Sequence, residues 1–404
     1  MAQQTANDIA SVPWIDKTFI LKALRNSGDE KSNVTDVTVR YAVASGENYT
    51  STIYRVEVTL DDGRQRSLMV KGPSLGEELA TFAKMAGIFW REGGMLADAI
   101  PKMEALLDAA APNKLHRFAA RCLHYGCENN VEFLVMEDLA HSGFKMADRK
   151  RGLGLRHSLL ALRSLARFHA ASHALLRQQP ELADGYDNMW RKPNHNMTEF
   201  IQGLVQSAAD VCRTWIGFEK FVDILEKLKL KIRDLCIEIN DPKPDSFNVI
   251  THGDFWVNNM MFRYENGDPV EFRMVDLQIS HVASPAVDLQ YFLSTSVSDD
   301  VYFNHRDLLL REYLFSLEET LQLLGIKAPP REAFLAAMDE HGIMAMFGAL
   351  CIKPIALTPS TPDLEASNTG DHSGIAFMYQ TPRIKRWLQT TLQEFSRKGW
   401  LKEQ

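Results

Sequence analysis

Three polar residues in one stretch of the chain have the types and spacing that phosphoryl transfer requires. Asn259 follows Asp254 by five residues, and Asp276 comes after a further apolar segment. Phosphoryl transfer needs a carboxylate that aligns the acceptor oxygen, and it needs hard oxygen ligands that hold Mg²⁺ beside the phosphates. Two carboxylates and an amide can supply these functions, so the stretch predicts a phosphoryl-transfer site.

A predicted hairpin brings the second aspartate towards the first. Asn266-Gly267-Asp268 is a strong hairpin signal. It joins residues 260–264 to a second predicted strand, residues 271–275, which ends directly before Asp276. Residues 252–259 form a short polar loop between apolar segments. We therefore expect both carboxylates and the amide to meet where these strands and this loop adjoin.

The stretch resembles the catalytic loop of kinases, in which an Asn follows the catalytic Asp by five residues and a second Asp comes later. It is more closely similar to the aminoglycoside and choline kinase-like group, because Gly253 stands where protein kinases carry Arg, and Leu277-Gln278 where they carry Phe-Gly. The sequence HGDFWVNNMMF, followed by VDLQ and SPAVDL, resembles the insect ecdysteroid kinase-like, or CHK kinase-like, family. This likeness covers nearly the whole chain.

The resemblance implies a role for each of the three residues. Asp254 is expected to be the catalytic base, while Asn259 and Asp276 are expected to bind the metal, with ATP and Mg²⁺ as cofactors. Two neighbours are interpreted structurally. Asn258 is predicted to be a turn former, because Asn side chains readily bond nearby backbone. Asp288 is predicted to be a helix cap or a brace for the loop.

A second candidate site lies in the N-terminal part of the chain. A loop, residues 45–51, precedes a strand in which apolar and polar residues alternate from Tyr54 to Leu60, and a turn at Asp62-Gly63 leads to a strand ending at Lys71. Backbone N–H groups of a small-residue loop can approach anionic oxygens, and a lysine can neutralise phosphate charge. The predicted nucleotide-binding residues here are Ser45, Gly46, Asn48, Ser51 and Lys71.

In kinases the corresponding lysine is held by a glutamate on a helix. Residues 77–95 have a helical pattern, and Glu92 matches the position at which the related kinases carry this partner. Glu77 and Glu78 compete for the same role. The resemblance thus adds Lys71 and Glu92 to the expected catalytic residues.

A hinge between two lobes is expected after a second hairpin, formed by residues 119–125 and 131–136. By resemblance, backbone groups just beyond the second strand would hydrogen-bond the adenine of ATP. The acidic side chains at this point would then be free for other contacts. The residues concerned are Glu137, Asp138 and Leu139.

The chain after residue 155 has mainly helical patterns. His169 and His173 are one turn apart on the first of these helices, a spacing that could bind a metal. No Glu lies between them as in HExxH and no third ligand is evident, so core histidines that brace the catalytic loop are favoured. Residues 359–374, rich in Ser, Thr, Pro, Asp and Gly, predict a flexible loop over the substrate.

Composition argues against several classes of protein. With 45 Lys and Arg against 52 Asp and Glu, the net charge of −7 gives no broad basic surface for nucleic acid. The five cysteines lack CxxC spacing and imply neither a disulfide framework nor a zinc site. The N-terminus lacks the pattern of a secretory signal, so we expect a cytoplasmic protein. The apolar run at residues 343–352 is shorter than the ~20 residues that span a bilayer.

Together these patterns predict an α+β, bilobal protein kinase-like fold. A small antiparallel-sheet N-lobe, residues 1–138, would bind the nucleotide, and a larger, mainly helical C-lobe, residues 139–404, would bind the substrate. No APE motif follows Asp276, and Ser284-Pro285-Ala286 begins only eight residues after it, which leaves little room for a peptide platform. The substrate is therefore expected to be a small-molecule alcohol, which the resemblance suggests is ecdysteroid-like or another bulky apolar hydroxyl compound.

Two alternatives come from other classes. A catalytically silent nucleotide- or steroid-binding homologue would keep the fold without turnover. A metallophosphoesterase could use His252, Asp254, Asn259 and Asp276 around two metals, but it would not need Lys71 or Glu92 and should carry more histidine ligands. The patterns do not predict an oligomeric state.

Overall fold

The computed structural model describes residues 8–43, 51–74, 76–112, 116–192, 195–358 and 373–401. Strand segments are concentrated in its first third, and helices follow. The strands are β1 (Val34–Tyr41), β2 (Ser51–Leu60), β3 (Gln65–Pro73), β4 (Cys122–Glu128), β5 (Val131–Glu137), β6 (Lys145–Met146), β7 (Val249–Thr251), β8 (Met260–Glu265), β9 (Asp268–Met274) and β10 (His281–Ala283).

Helices occupy most of the remaining described chain. They are α1 (Lys17–Asn26), α2 (Glu77–Ala86), α3 (Ile88–Gly94), α4 (Ile100–Ala110), α5 (Leu155–Gln178), α6 (His195–Cys212), α7 (Glu219–Ile239), α8 (Ala286–Thr295), α9 (Asp299–Leu323), α10 (Arg331–Glu340), α11 (Gly342–Phe347), α12 (Lys353–Leu357), α13 (Ser373–Ala376) and α14 (Pro382–Arg397). Two π-helical turns, Met95–Ala99 and Gly348–Ile352, connect α3 to α4 and α11 to α12.

The first sheet follows from period-two patterning. Tyr54, Val56, Val58 and Leu60 are all buried on one face of β2, as alternation predicts. The sheet is antiparallel with the order β1-β2-β3-β5-β4. Helix α1 covers its apolar face, where Phe19 meets Phe133 edge to face. The predicted antiparallel-sheet N-lobe is therefore confirmed.

The helical pattern predicted over residues 77–95 is confirmed, but it is divided between α2 and α3. The chain breaks at Gly87, whose φ of 68° is left-handed, so that α2 ends there and α3 begins at the next residue. A glycine adopts this conformation without a Cβ clash and commonly ends a helix. The break separates α2 from α3, and α3 carries Glu92.

The C-terminal part is mainly helical, as predicted. Helix α5 packs along α9, and α6 packs along α7. The apolar residues 343–352 are largely buried in α11 and the second π-helical turn. At Gly348 an added Cβ would lie 2.1 Å from the Ser294 hydroxyl, so this turn and α8 approach more closely than a larger residue would permit.

One of the two apolar clusters joins the two parts of the molecule. Phe118, which precedes β4, packs edge to face against Phe168 of α5, and its carbonyl accepts a hydrogen bond from Met274 at the end of β9. The apolar cluster accordingly runs from α2–α4 into the C-terminal helices. The predicted domain boundary at residue 138 stays a prediction.

Two small sheets place the polar loops of the second half. In one, β10 pairs with β7, and in the other, β9 pairs with β8. The β8–β9 hairpin turns at Asn266 and Gly267, which both have positive φ, as the sequence signal predicts. The loop carrying Asp254 therefore lies between β7 and β8, and Asp276 lies between β9 and β10.

All five cysteines are free thiols. Within the described ranges no single helix is long and apolar enough to cross a membrane, although the bent pair of α10 with the segment Gly342–Leu357 meets the length and composition test when taken together. Most of the loop predicted at residues 359–374 lies outside the described residues, since the described chain resumes at Ser373.

Candidate active site

The loop that carries Asp254 requires a glycine before it. Gly253 has a φ of 84°, and an added Cβ would lie 2.5 Å from the carbonyl oxygen of Ile279. Both the backbone conformation and this close approach exclude a side chain. The arginine that protein kinases carry at the matching position could not be accommodated here, and the loop instead packs tightly against the segment after Asp276.

Both carboxylate oxygens of Asp254 accept hydrogen bonds. The Tyr291 hydroxyl donates to Oδ1 over 2.7 Å, and Asn259 Nδ2 donates to Oδ2 over 2.9 Å. The side chain keeps some solvent access, but the protein atoms crowded around it raise its pKa to about 7, chiefly by desolvation. Asp254 is therefore a fixed carboxylate with the proton affinity that suits a general base.

Lys71 joins two acids that come from distant parts of the chain. Its Nζ lies 2.9 and 2.8 Å from the two oxygens of Glu92 on α3, and 2.7 Å from Oδ1 of Asp276. Lys71 is 5% exposed and Glu92 2%. Burial alone would lower the pKa of Lys71, but the charges of Asp276 and Glu92 outweigh it and raise the pKa above its ordinary value. Lys71 is therefore a cation held at the junction of β3, α3 and the β9–β10 loop.

Among the three acids weighed as partners of Lys71, Glu92 makes the contact. The side chains of Glu77 and Glu78 lie outside the described residues. Of the phosphate-binding loop, Ser45, Gly46 and Asn48 likewise lie outside them, while Ser51 is buried at the start of β2, opposite Pro73 of β3. The nucleotide-binding roles of Ser51 and Lys71 stay predictions.

Asn259 and Asp276 fit the requirements of a Mg²⁺ site. The Val275 N–H donates to the carbonyl of Asn259 over 3.1 Å, which makes the two predicted ligands neighbours. Because the amide nitrogen of Asn259 donates to Asp254, its amide oxygen would be available to a metal, and Asp276 would contribute its second carboxylate oxygen. These are hard oxygen donors of the kind that Mg²⁺ selects. In the described part of the chain, no group of three or more His, Cys, Asp or Glu side chains is arranged to hold a metal.

Asp276 has an uncommon backbone conformation, with a φ of 66°. Asp tolerates the left-handed region better than most residues, because its short polar side chain can bond locally. The turn redirects the chain directly after β9. As a result the Asp276 carboxylate points to Lys71 instead of continuing the alternation of the strand.

Asp288 braces the loop that carries Asp254, one of the two roles predicted for it. Its carboxylate accepts hydrogen bonds from the backbone N–H groups of His252 (2.7 Å) and Gly253 (2.9 Å). His169 Nε2 lies 3.0 Å from the same carboxylate. Burial raises the pKa of Asp288, but the hydrogen bond with His169 and these other contacts lower it below its ordinary value, so the brace is an anion at neutral pH.

The histidines near the site make structural contacts. His169 Nδ1 lies 2.7 Å from the Tyr313 hydroxyl, and His173 Nδ1 lies 2.8 Å from the carbonyl of Asn248. His252 bonds the carbonyl of Val275 through Nε2 over 3.0 Å, and burial lowers its pKa. It is thus a neutral side chain that ties the Asp254 loop to the segment before Asp276. The interpretation of His169 and His173 as core histidines agrees with these contacts.

The predicted hinge follows β5 directly. Asp138 is buried, and its carboxylate accepts hydrogen bonds from Arg55 of β2 over 2.8 Å and from Ser67 of β3 over 2.7 Å. Glu137 accepts a hydrogen bond from the backbone N–H of Arg121. These acids therefore hold the end of the sheet together. The adenine contacts predicted for the backbone of Glu137, Asp138 and Leu139 stay predictions.

Sequence reasoning missed two residues of the site. Arg91, next to Glu92, donates to the carbonyl of Ser280 over 2.7 Å and also pairs with Asp187, which ties α3 to the β9–β10 loop. Tyr291 contacts Asp254 directly. Tyr291 follows Asp288 by three residues on α8 and so shares its face, but this spacing does not identify Asp254 as its partner. No local pattern distinguishes Arg91.

Comparison with known proteins gives a family. The profile of the ecdysteroid kinase-like family matches residues 45–326, well over half of the chain. No curated protein matches the sequence. Among solved structures, a Plasmodium vivax ethanolamine kinase is similar at 13% identity, covering 87% of this chain and 84% of its own, with a TM-score of 0.40. A GDP complex of aminoglycoside 2'-phosphotransferase-IIIa is similar at 11% identity, covering 93% and 99%, with a TM-score of 0.43.

The family profile spans the whole of the geometry described above, from β2 and Lys71 through the Asp254 loop to Asp276 and α8. It matches the chain independently of these contacts. The chain belongs to the ecdysteroid kinase-like family.

Proposed function

We propose that the protein is an ATP-dependent small-molecule kinase that transfers the γ-phosphoryl group to a hydroxyl of an ecdysteroid-like or other bulky alcohol. The observation that carries the proposal is the contact of Lys71 with both Glu92 and Asp276. A buried cation beside a candidate metal ligand is the arrangement that holds nucleotide phosphates in kinases. Family membership supports the same reaction class.

In this proposal each residue of the site has a separate role. Asp254 aligns the acceptor hydroxyl and takes its proton as the oxygen bonds to the γ-phosphorus, and ADP leaves with the electrons of the broken P–O bond. Lys71 binds phosphate oxygens, and Asn259 and Asp276 would hold Mg²⁺. When bound, the metal supplies neutralisation of phosphate charge. Asp288 keeps the Asp254 loop in place through its backbone N–H groups.

An aromatic wall beside the base supports a bulky acceptor with an apolar body. Tyr291, which bonds Asp254, stacks on Phe347 of α11 with ring centroids 6.2 Å apart. Phe347 meets Trp190 edge to face at 5.0 Å. Trp190 is only partly buried, so the row of rings reaches from the base towards solvent. Of these rings only Trp190 is partly exposed, and an aromatic ring favours fused or aromatic partners over small polar alcohols.

The two rival readings are weaker. A metallophosphoesterase has no use for the Lys71–Glu92 pair and would need ligands for two metals, whereas the described residues offer one carboxylate and one amide beside the base. A silent homologue would not need Asp254 fixed by two hydrogen bonds. The proposed setting is the cytoplasm, where ATP is abundant and free thiols stay reduced.

An acceptor screen tests the proposal. Purified protein with Mg·ATP is offered ecdysteroids, sterols, amino alcohols and plant phenolics, and ADP release and phosphorylated product are measured. We expect product with at least one bulky apolar alcohol, and loss of turnover with EDTA. ATP binding without product from any member of the panel would favour the silent homologue. Phosphate release from phosphoesters that persists without ATP would favour the esterase.

A further inference from the structure

Among the residues that the structure describes, Tyr291 is the one donor to the Asp254 carboxylate that is not itself a candidate metal ligand. The hydroxyl reaches Oδ1, while Asn259 occupies Oδ2 on the other side. An ionised carboxylate offers about four lone-pair sites, so one site on each oxygen stays open to a substrate hydroxyl. The two donors together fix the plane of the carboxylate, and they therefore fix the direction from which a hydroxyl can approach.

Helix α8, which carries Tyr291, is itself immobilised. Every residue from Ala286 to Thr295 is buried. Asp288, one turn before Tyr291, holds the backbone of His252 and Gly253. Helix α8 therefore contacts the Asp254 loop at two points, the backbone before Asp254 and the Asp254 side chain.

We infer that Tyr291 is a positioning residue that orients the Asp254 carboxylate for the acceptor hydroxyl. The inference rests on the proposed kinase function, and it adds a residue to that site. A buried tyrosine hydroxyl could also be satisfied by any nearby acceptor. The Tyr291 hydroxyl bonds one particular oxygen of Asp254. The helix that carries Tyr291 is anchored to the same loop as Asp254. A misplaced reacting group commonly costs about 10²-fold in rate, so loss of this contact should appear in turnover.

Tyr291→Phe removes only the hydroxyl and keeps the ring stacked on Phe347. ADP release from Mg·ATP is measured in two conditions, with ecdysone and without any added acceptor. We expect kcat to fall about tenfold to hundredfold in both. KM for ATP should change less than about twofold, because the hydroxyl contacts the base and not the predicted nucleotide-binding residues. A merely structural hydroxyl would not produce this split between kcat and KM.

Tyr379→Phe is the matched control for stability. Tyr379 is also buried, and its hydroxyl donates to the carbonyl of Leu350 over 2.6 Å, outside the site. Both variants lose one buried hydrogen bond and should lower the unfolding midpoint similarly. Only Tyr291→Phe should lower kcat.

A double-mutant cycle completes the test. In an Asp254→Asn background there is no base to orient, so adding Tyr291→Phe should change the residual kcat less than about twofold. Equal kcat for Tyr291→Phe and the wild type, or a full additional loss in the Asp254→Asn background, would overturn the inference and leave the kinase proposal standing. Absence of ADP release by the wild-type protein with ecdysone and with every other alcohol of the panel would overturn the two together.

Discussion

At the residue scale, the net charge of the site depends on the balance between Lys71 and the acids around it. One lysine faces two carboxylates, Glu92 and Asp276, so the group of three carries a net negative charge when all are ionised. Glu92 is buried and holds Lys71 in place. Asp276 is more exposed and is free to turn one oxygen to a metal. A bound cation would therefore complete the neutralisation that Lys71 begins.

Removing this cation should affect ATP use more than folding. For Lys71→Met we expect a loss of about 2 kcal/mol or more in transition-state terms, roughly thirtyfold in kcat/KM for ATP, because a charge-assisted contact is lost in a partly dry cleft. Steady-state kinetics measure the loss, and chemical denaturation measures stability. Lys84→Met, which removes an exposed lysine of α2, is the control. A change in kcat/KM within twofold would exclude Lys71 from the site.

The metal ligands give a second prediction. Asp276→Asn keeps the shape of the side chain but removes a negative ligand, so half-maximal activity should need more Mg²⁺ and turnover should collapse. Asn259→Ala should act in the same direction with a smaller effect. Titrations of activity against Mg²⁺ measure both.

Glu92→Gln is the matched control for this prediction. It also takes one acid from Lys71 but removes no predicted metal ligand, so it should lower activity without raising the Mg²⁺ requirement. An equal rise for Glu92→Gln and Asp276→Asn, or activity that is indifferent to EDTA, would contradict the assignment of Asp276.

At the element scale, α12 begins with a buried lysine that the proposed reaction does not use. Lys353 is fully buried; its Nζ donates to the carbonyl of Val297 over 2.7 Å and lies 4.6 Å from the centre of the Trp387 ring. Burial lowers its pKa from 10.5 to about 7, although Asp299 acts in the opposite direction. The folded protein therefore binds this proton less tightly than the unfolded chain does.

The lowered pKa of Lys353 determines the sign of the pH dependence of stability. Between about pH 7 and pH 10.5 the unfolded chain binds more protons at Lys353, so this group makes stability rise with pH, at up to ~1.4 kcal/mol per pH unit. Lys353→Met should be more stable than the wild type near pH 7. Its advantage should shrink as the pH rises towards 10.

Urea unfolding at several pH values measures the difference in free energy between the two proteins. Lys385→Met is the control, because Lys385 is an exposed lysine that also lies over a tryptophan ring, that of Trp215. If the free energies of unfolding of the wild type and Lys353→Met differ by the same amount at every pH, the lowered pKa of Lys353 is contradicted.

Elements show where sequence patterns succeed. Three features were predictable, because each depends on residues close together in the chain. They are the alternation in β2, the Asn266-Gly267 turn and the amphipathic helix α5. The break at Gly87 was not predicted. A glycine inside a helical pattern is often tolerated, and only packing of the flanking helices decides whether the chain turns there.

At the scale of the whole molecule, the site combines residues from distant segments. Asp254 and Asn259 could be found from their spacing, and Lys71 and Glu92 from the family resemblance. Tyr291 and Arg91 could not be assigned a role in advance, because their contacts, Asp254 and Ser280, lie 37 and 189 residues away along the chain. Such pairings depend on how helices α8 and α3 pack against the loops, which no local pattern specifies.

The proposed mechanism makes Asp254 the base and Asn259 and Asp276 the metal ligands. Asp254→Asn tests it most directly, with calorimetry of Mg·ATP binding beside steady-state phosphorylation and a melting curve to verify folding. We expect Mg·ATP affinity to stay nearly unchanged and turnover to fall by roughly 10² to 10⁴, the span usual for loss of a positioned general base. Loss of nucleotide binding would reassign Asp254 to the metal, and retained turnover would contradict its role as the base.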